Sequence, residues 1–260
     1  MKIGIPILTE LDSVEQHIEL ARRLGFDFVE LNLGFPCCMP DRINFSSVKN
    51  CKDIFFTVHL PETIEVGEIC ENARQRQVDY AKYLMKLYNE KGGITKFNLH
   101  LDLGIVMTLP DNQIYIFEKY KSDYLNSIRK SFSELSEFAG CSGISLCFEN
   151  LAKTKPFVIE ALAEIPRYPN LFFTFDTGHD AMTGNTARSL FMQNPQKIQH
   201  MHLHDFNGKT DHQELGTGFT DFKKYVEFAG KNNLTVLIEV RKEPELANSI
   251  KLIKQYKPGC

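Results

Sequence analysis

Several patterns that mark common classes of protein are missing from this sequence of 260 residues. There is no run of about 18 apolar residues, so no segment is predicted to span a membrane. The apolar stretch at the amino terminus is broken by Gly4 and Pro6 and is too short for a signal peptide. The seven cysteines form no CxxC pair, which argues against a disulfide framework and a zinc ribbon. These absences predict a soluble, cytoplasmic protein without a membrane partner.

The sequence also lacks an excess of positive charge and the glycine-rich motifs that bind nucleotides. Lys and Arg total 30 against 33 Asp and Glu, so the formal net charge is -3 and would not attract a polyanion such as DNA. Neither GxGxxG after the first apolar run nor GxxxxGK[ST] occurs, which disfavours a nucleotide-binding open sheet. We therefore do not expect a nucleic-acid partner.

What the chain does contain is a regular alternation of short apolar runs with longer amphipathic segments. The runs are rich in Ile, Val and Phe, as in strands that are covered on both faces. The predicted strands cover residues 2–7, 27–32, 54–60, 95–101, 143–149, 171–176, 197–204 and 234–240. The predicted helices cover residues 13–24, 45–51, 71–90, 114–139, 155–163, 184–193, 221–231 and 243–255.

Eight strand-then-helix units in a chain of 260 residues predict a (β/α)8 TIM barrel, an α/β fold. A doubly wound open sheet is the alternative. No linker or change of composition indicates a second domain, so we expect one domain over residues 1–260.

A polar residue ends the apolar run on six consecutive predicted strands. In a TIM barrel these carboxyl ends surround the active site, so their side chains would meet. A single histidine there is usually structural, but an ionised carboxylate leaving a buried strand costs several kcal/mol unless it is paired or coordinated. The convergence therefore predicts a metal centre. The residues are His59, His100, Glu149, Asp176 with His179 after it, His202, and Glu239, and His212 follows the seventh strand.

The segment HMHLHD places His200, His202 and His204 on one face of a strand, because side chains alternate with a period of two. His202 is the predicted ligand, since it stands close to the loop. We expect His200 to be a core residue, and His204 and Asp205 to support the site or the loop.

The motifs CFEN, FDTGHD, HLHD, HQELGTG and IEV occur in this order over the last four strands. With these motifs the chain resembles the xylose isomerase-like TIM-barrel superfamily of sugar isomerases and epimerases, which also includes nucleases of the endonuclease IV type. The resemblance implies a carbohydrate substrate, a homo-oligomer, and proton transfer next to a carbonyl through a metal-stabilised enediolate.

The resemblance also implies roles for single residues. One divalent ion would be held by Glu149, Asp176, His202 and Glu239, and Glu149 and Glu239 would also move the proton. Because three carboxylates and one imidazole are mostly hard ligands, manganese, cobalt or magnesium is expected more than zinc. Substrate contacts or additional metal ligands would come from His59, His100, His179 and His212.

Three alternatives remain open at this point. In the nucleases the matching eight residues hold three zinc ions, but Thr210 stands where their DxH pair would place an aspartate, and Asp211 is one position off. A related metal-dependent lyase or dehydratase is the second alternative, and a metal-free binding protein is the third. The segment LGTGFTDF (215–222) either binds a phosphate group or shapes a turn.

Overall fold

The apolar runs of the chain form a closed parallel barrel in the computed structural model, which describes residues 1–256. The barrel closes in the strand order β1-β10-β9-β8-β7-β4-β3-β2, and this confirms the predicted TIM-barrel fold. The strands are β1 (Lys2–Ile5), β2 (Phe28–Asn32), β3 (Phe55–His59), β4 (Lys96–His100), β5 (Val106–Thr108), β6 (Gln113–Tyr115), β7 (Ser145–Glu149), β8 (Leu171–Asp176), β9 (Ile198–Leu203) and β10 (Thr235–Ile238).

The helices surround the barrel, and four of them, α1, α2, α7 and α9, begin at a side-chain cap. Ser13 and Gln16 form a reciprocal capping box at the first helix, which ends at Gly25 in a left-handed conformation (φ 75°) that favours glycine. The helices are α1 (Val14–Leu24), α2 (Phe45–Asn50), α3 (Glu71–Gly92), α4 (Ile116–Lys119), α5 (Lys121–Ser142), α6 (Pro156–Leu162), α7 (Thr177–Met182), α8 (Arg188–Gln193), α9 (Phe222–Lys231) and α10 (Glu243–Gln255).

Two predicted helices are corrected by the structure. The helix predicted from residue 114 begins later, because β6 pairs antiparallel with β5 in a small hairpin outside the barrel. The helix predicted for 184–193 covers only α8, and α7 was not predicted at all. This helix starts directly after β8 because the Asp176 side chain accepts a hydrogen bond of 2.7 Å from the backbone N–H of His179.

Aromatic side chains join the helices to the barrel. Phe132 on α5 packs against Phe148 on β7 with ring centroids 4.7 Å apart. Phe191 on α8 stacks on Phe173 of β8 at 4.4 Å. Such pairs add to the stabilisation that comes from burying apolar surface between helix and sheet.

The strand register brings the polar strand ends to one level. His100 is paired with Glu149, and Asp176 with His202. Glu239 follows β10 by one residue, and its backbone N–H donates to the carbonyl of Leu203 over 3.1 Å. The carboxyl edge of the barrel is therefore where these side chains assemble.

Two further expectations concern membranes and thiols. Among residues 1–256, no helix is both long and apolar enough to cross a membrane. The six cysteines in that range are free thiols, while Cys260 lies outside the described residues.

Candidate active site

Four side chains from four neighbouring strand ends form one cage at the carboxyl edge of the barrel. Glu149, Asp176, His202 and Glu239 each offer a ligand atom, and these atoms all lie within 4.8 Å of one another. His202 Nδ1 is at the centre, 3.2 Å from Glu149 Oε1, 3.1 Å from Glu239 Oε2 and 3.8 Å from Asp176 Oδ2. The structure thus brings together the four residues for which the sequence predicts a shared metal.

The cage fits a divalent cation by its own chemistry. Glu149 Oε2, His202 Nδ1 and Glu239 Oε2 are buried and have no hydrogen-bond partner among the described residues. Buried polar atoms are almost always satisfied, so an unpartnered atom on each of three cage residues indicates a donor set for a cation. Three carboxylates around one imidazole suit manganese, cobalt, magnesium or zinc.

The two glutamates of the cage are held in their ionised form. Burial alone would raise the pKa of Glu149, but the charges of His202 and His100 outweigh it and hold the pKa well below its usual range. Burial acts in the same way on Glu239, where the charge of His202 holds the pKa well below its usual range. Both carboxylates can therefore bind a cation or accept a proton near neutral pH.

A pair of histidines extends the cage on the side of β3 and β4. His59 and His100 approach each other to 3.4 Å through their Nε2 atoms, and His100 Nε2 lies 3.2 Å from Glu149 Oε2. The other ring nitrogen of His59 contacts the carbonyl of Leu60 at 2.8 Å, which fixes the ring orientation. Together with Glu149 the pair forms a second group able to hold a metal ion.

His179 and His212 line the opposite side, with ring centroids 5.5 Å apart. Although burial opposes it, Asp176 and Glu149 raise the pKa of His179 to about 10, whereas burial lowers the pKa of His212 to about 4. His179 Nε2 lies 3.6 Å from Asp211 Oδ2. Asp211 thus reaches His179 from one position beyond the aspartate of the nuclease pattern.

His204 supports Asp176 and the loop of His212. Its Nδ1 accepts a hydrogen bond of 2.8 Å from the backbone N–H of His212, and its Nε2 lies 3.0 Å from Asp176 Oδ1. Helix α7 packs so closely on this ring that a Cβ at Gly178 would lie 2.1 Å from His204. Both ring nitrogens have partners, and His204 also forms a group able to hold a metal ion with His179 and His212. The supporting role of His204 stays a prediction.

His200 lies deeper in the barrel and is fully buried, as expected of a core residue. Burial lowers its pKa to about 4, so the ring is neutral at physiological pH.

Glu30 of β2 was not predicted from the sequence as a site residue. Its carboxylate lies beneath the cage and is only 2% exposed. Its Oε1 lies 3.0 Å from His202 Nε2, and its Oε2 lies 3.1 Å from His200 Nε2. The signal was present in the strand FVELN, where a charged residue interrupts an apolar run. An ionised glutamate inside a buried strand, like one at its end, is costly to bury unless it is paired or coordinated.

The glycine-rich segment after β9 is organised around Asp205. The Asp205 carboxylate accepts hydrogen bonds of 2.8–2.9 Å from the backbone N–H groups of Phe206, Gly216, Gly218 and Thr220. These N–H groups are the donors that a phosphate would require. The structure therefore supports the interpretation that the segment LGTGFTDF shapes a turn, and not that it binds a phosphate group.

The sequence over residues 18–256 matches a family model described as xylose isomerase-like TIM barrel. The chain belongs to the xylose isomerase-like TIM-barrel family. A relative in this comparison is an uncharacterized protein of Methanocaldococcus jannaschii, which is 24% identical over 199 residues, covering 73% of this chain and 71% of the relative.

Solved structures of enzymes have the same barrel. A D-tagatose 3-epimerase-like protein is 22% identical with a TM-score of 0.78, covering 98% of this chain and 97% of the other. A probable 3-DHS dehydratase from Bacillus anthracis is 16% identical with a TM-score of 0.76 over 99% and 100% of the two chains. The IolI protein, solved with a bound zinc atom, is 16% identical with a TM-score of 0.72 over 98% and 94%. At these identities the likeness concerns the fold.

Proposed function

We propose that this member of the family is a divalent-metal-dependent isomerase or epimerase of an uncharged sugar. The observation that carries the proposal is the position of two ionised glutamates, Glu149 and Glu239, on opposite flanks of the cage. The barrel order β10-β9-β8-β7 separates their strands by two others, so a flat substrate between them would present one face to each carboxylate. A barrel shared with an epimerase-like protein supports this choice of reaction.

The reaction requires a proton to leave a carbon next to a carbonyl group. A divalent ion in the cage would polarise that carbonyl and stabilise the negative charge that develops on its oxygen. One glutamate removes the proton, and the other returns a proton to the opposite face of the same carbon in an epimerisation, or to the neighbouring carbon in an isomerisation. His59, His100, His179 and His212 surround the substrate and bind its hydroxyl groups.

We infer an uncharged substrate from the charged and hydrogen-bonding groups at the carboxyl edge of the barrel. The backbone donors after β9 are already bonded to Asp205, so they offer no site for a phosphate. Arg241 is 52% exposed and lies 3.5 Å from Glu239 Oε1, where a carboxylate already faces it.

The first test measures exchange of substrate hydrogen in heavy water. The manganese-loaded protein is incubated with ketoses and with the matching ketose phosphates, and NMR follows deuterium entering the substrate carbon and the product formed. We expect an epimer or isomer of an uncharged ketose, labelled at the carbon that changes. Turnover only of the phosphates would overturn the inference about charge, and a dehydrated product would favour the lyase alternative.

The roles of the two glutamates are tested by substitution. Glu149→Gln and Glu239→Gln should each lower kcat by about 10²–10⁴-fold, because the amide cannot transfer the proton. Glu160→Gln is the matched control, since Glu160 is exposed on α6 and pairs only with Lys121. If both variants kept full turnover with metal bound, the acid–base assignment would be wrong.

Phosphodiester hydrolysis is a second candidate, favoured by one observation. Beside the central cage there are two further groups able to hold a metal ion, one of His59, His100 and Glu149 and one of His179, His204 and His212. Elemental analysis of protein purified without chelator separates the two candidates. About one manganese, cobalt or magnesium per chain supports the isomerase, whereas two or three zinc ions together with cleavage of abasic DNA would favour the hydrolase.

A further inference from the structure

Glu30 lies outside the proton-transfer chemistry, yet it is a buried carboxylate directly beneath the cage. We propose that Glu30 is a positioning residue that holds the proton of His202 on Nε2 and so keeps Nδ1 free to bind the metal ion. The inference rests on the metal cage of the proposed function and is independent of which sugar is converted.

The His202 ring turns one nitrogen toward the cage and the other toward Glu30. Its Nδ1 faces the oxygens of Glu149 and Glu239 at 3.2 and 3.1 Å. Its Nε2 faces Glu30 Oε1 at 3.0 Å, and the Asn98 amide nitrogen, which donates to Glu30 Oε2, lies farther away at 3.3 Å. To bind a cation through Nδ1 the imidazole must be neutral, with its single proton on Nε2. An ionised carboxylate can only accept a hydrogen bond, and Glu30 therefore favours this tautomer.

Hydrogen bonds from two neighbouring strands hold the Glu30 carboxylate in place. The hydroxyl of Thr57 donates to Glu30 Oε2 over 2.7 Å, and the amide of Asn98 donates to the same oxygen over 2.8 Å. These two donors come from the neighbouring strands β3 and β4 and fix the carboxylate in one position. They leave Oε1 for His202.

The negative charge of Glu30 needs an explanation of its own. A neutral glutamine could accept from Thr57 and Asn98 equally well, and a charge at 2% exposure is expensive to bury. A carboxylate behind a ligating imidazole raises the basicity of that ligand and fixes its orientation, and loss of such a partner typically weakens metal binding 10–100-fold. The charge is thus explained by the metal above it.

The experiment measures metal affinity in the absence of substrate. Isothermal titration of chelator-treated protein with Mn²⁺ should give a dissociation constant about 10–100-fold higher for Glu30→Gln than for the unchanged chain. The control is Ser131→Ala, which removes a buried hydroxyl that contacts Arg74 and the carbonyl of Val66, far from Glu30 and His202. This variant should keep the affinity of the unchanged chain within about twofold even where its thermal stability falls.

A second measurement does not depend on the folding of the variant. In the zinc-loaded protein with ¹⁵N-labelled histidine, long-range proton–nitrogen spectra should show His202 protonated on Nε2. Equal affinities in Glu30→Gln and the unchanged chain, or a proton on Nδ1, would overturn the assignment of Glu30 alone. If the unchanged chain bound no divalent ion, the metal centre of the proposed function would fail together with this assignment.

Discussion

His17 shows how one buried side chain ties the start of the barrel to its first helix. Its Nε2 accepts a hydrogen bond of 2.9 Å from the backbone N–H of Leu8, and its Nδ1 donates to the carbonyl of Ser13 over 2.7 Å. This pattern requires the neutral ring, and burial lowers the pKa of His17 below the ordinary value of 6.5. The residue therefore acts as a neutral connection between the loop after β1 and α1.

We expect His17→Ala to lower the free energy of unfolding by about 2 kcal/mol at pH 8, since a buried N–H and a carbonyl lose their partner. The pKa of His17 is lower in the folded than in the unfolded chain, so below about pH 6.5 the unfolded chain binds the proton first. The stability that His17 contributes is thus present above this pH and is lost as the pH falls. Urea unfolding of both proteins at pH 8 and 5.5 checks this, and a gap that widened at pH 5.5 would contradict it.

At the scale of elements, the loop between β9 and α9 depends on one carboxylate. Asp205 accepts from four backbone N–H groups, two to each oxygen. Without it these donors would lack partners in a segment that carries His212 to the site. The conformation of the loop, and the position of His212, are therefore set by a residue outside the cage.

Asp205→Asn should loosen this loop, because the amide keeps one acceptor oxygen and places N–H groups against backbone donors. We expect a loss of about 2–3 kcal/mol in unfolding free energy and faster hydrogen exchange at Gly216, Gly218 and Thr220. Exchange followed by mass spectrometry over this loop provides the measurement. Asp79→Asn on the exposed face of α3 is the control, and equal protection in the two variants would argue against the role of Asp205.

Local patterns also explain which elements could be predicted. The long helices α3 and α5 and all eight barrel strands follow from periodicity, because each buries a continuous apolar face. Helix α7 was missed because its six residues carry no such pattern and start from a cap made by Asp176. The hairpin of β5 and β6 was missed because its strands have three residues each and lie outside the barrel.

At the scale of the whole molecule, metal binding should govern stability. The cage brings three carboxylates together in a buried place, and three of its polar atoms have no partner among the described residues. A ligand that binds only the folded chain stabilises it by mass action, by about 4 kcal/mol at 1,000 times its dissociation constant. The metal-loaded protein should therefore be markedly more stable than the metal-free one.

We expect treatment with EDTA to lower the Tm by roughly 10 °C, and added Mn²⁺ to restore it in a concentration-dependent way. Differential scanning fluorimetry across a series of metal concentrations gives the measurement. Asp176→Asn is the matched comparison and should lose most of this gain. A Tm that stayed constant over the series would count against a metal centre.

Much of this protein can be predicted from the linear chain. Alternating apolar runs predict a parallel sheet covered on both faces, and their number, eight, together with the absence of a nucleotide-binding glycine motif, favours the closed barrel over an open sheet. Ionisable residues at strand ends predict a site at its carboxyl edge, since a carboxylate such as Glu149 cannot be buried there without a partner. The substrate and the oligomeric state stay predictions.

Folding adds what no local pattern contains. Strand register sets the distances between Glu149, Asp176 and His202. The closure of the barrel also places Glu30 next to His202, although the two residues are 172 positions apart in the sequence. Folding also turns Asp205 into the internal partner of the glycine-rich loop. Side chains far apart in the chain acquire partners only through the three-dimensional packing of strands, so their roles as supports could be recognised only in the folded molecule.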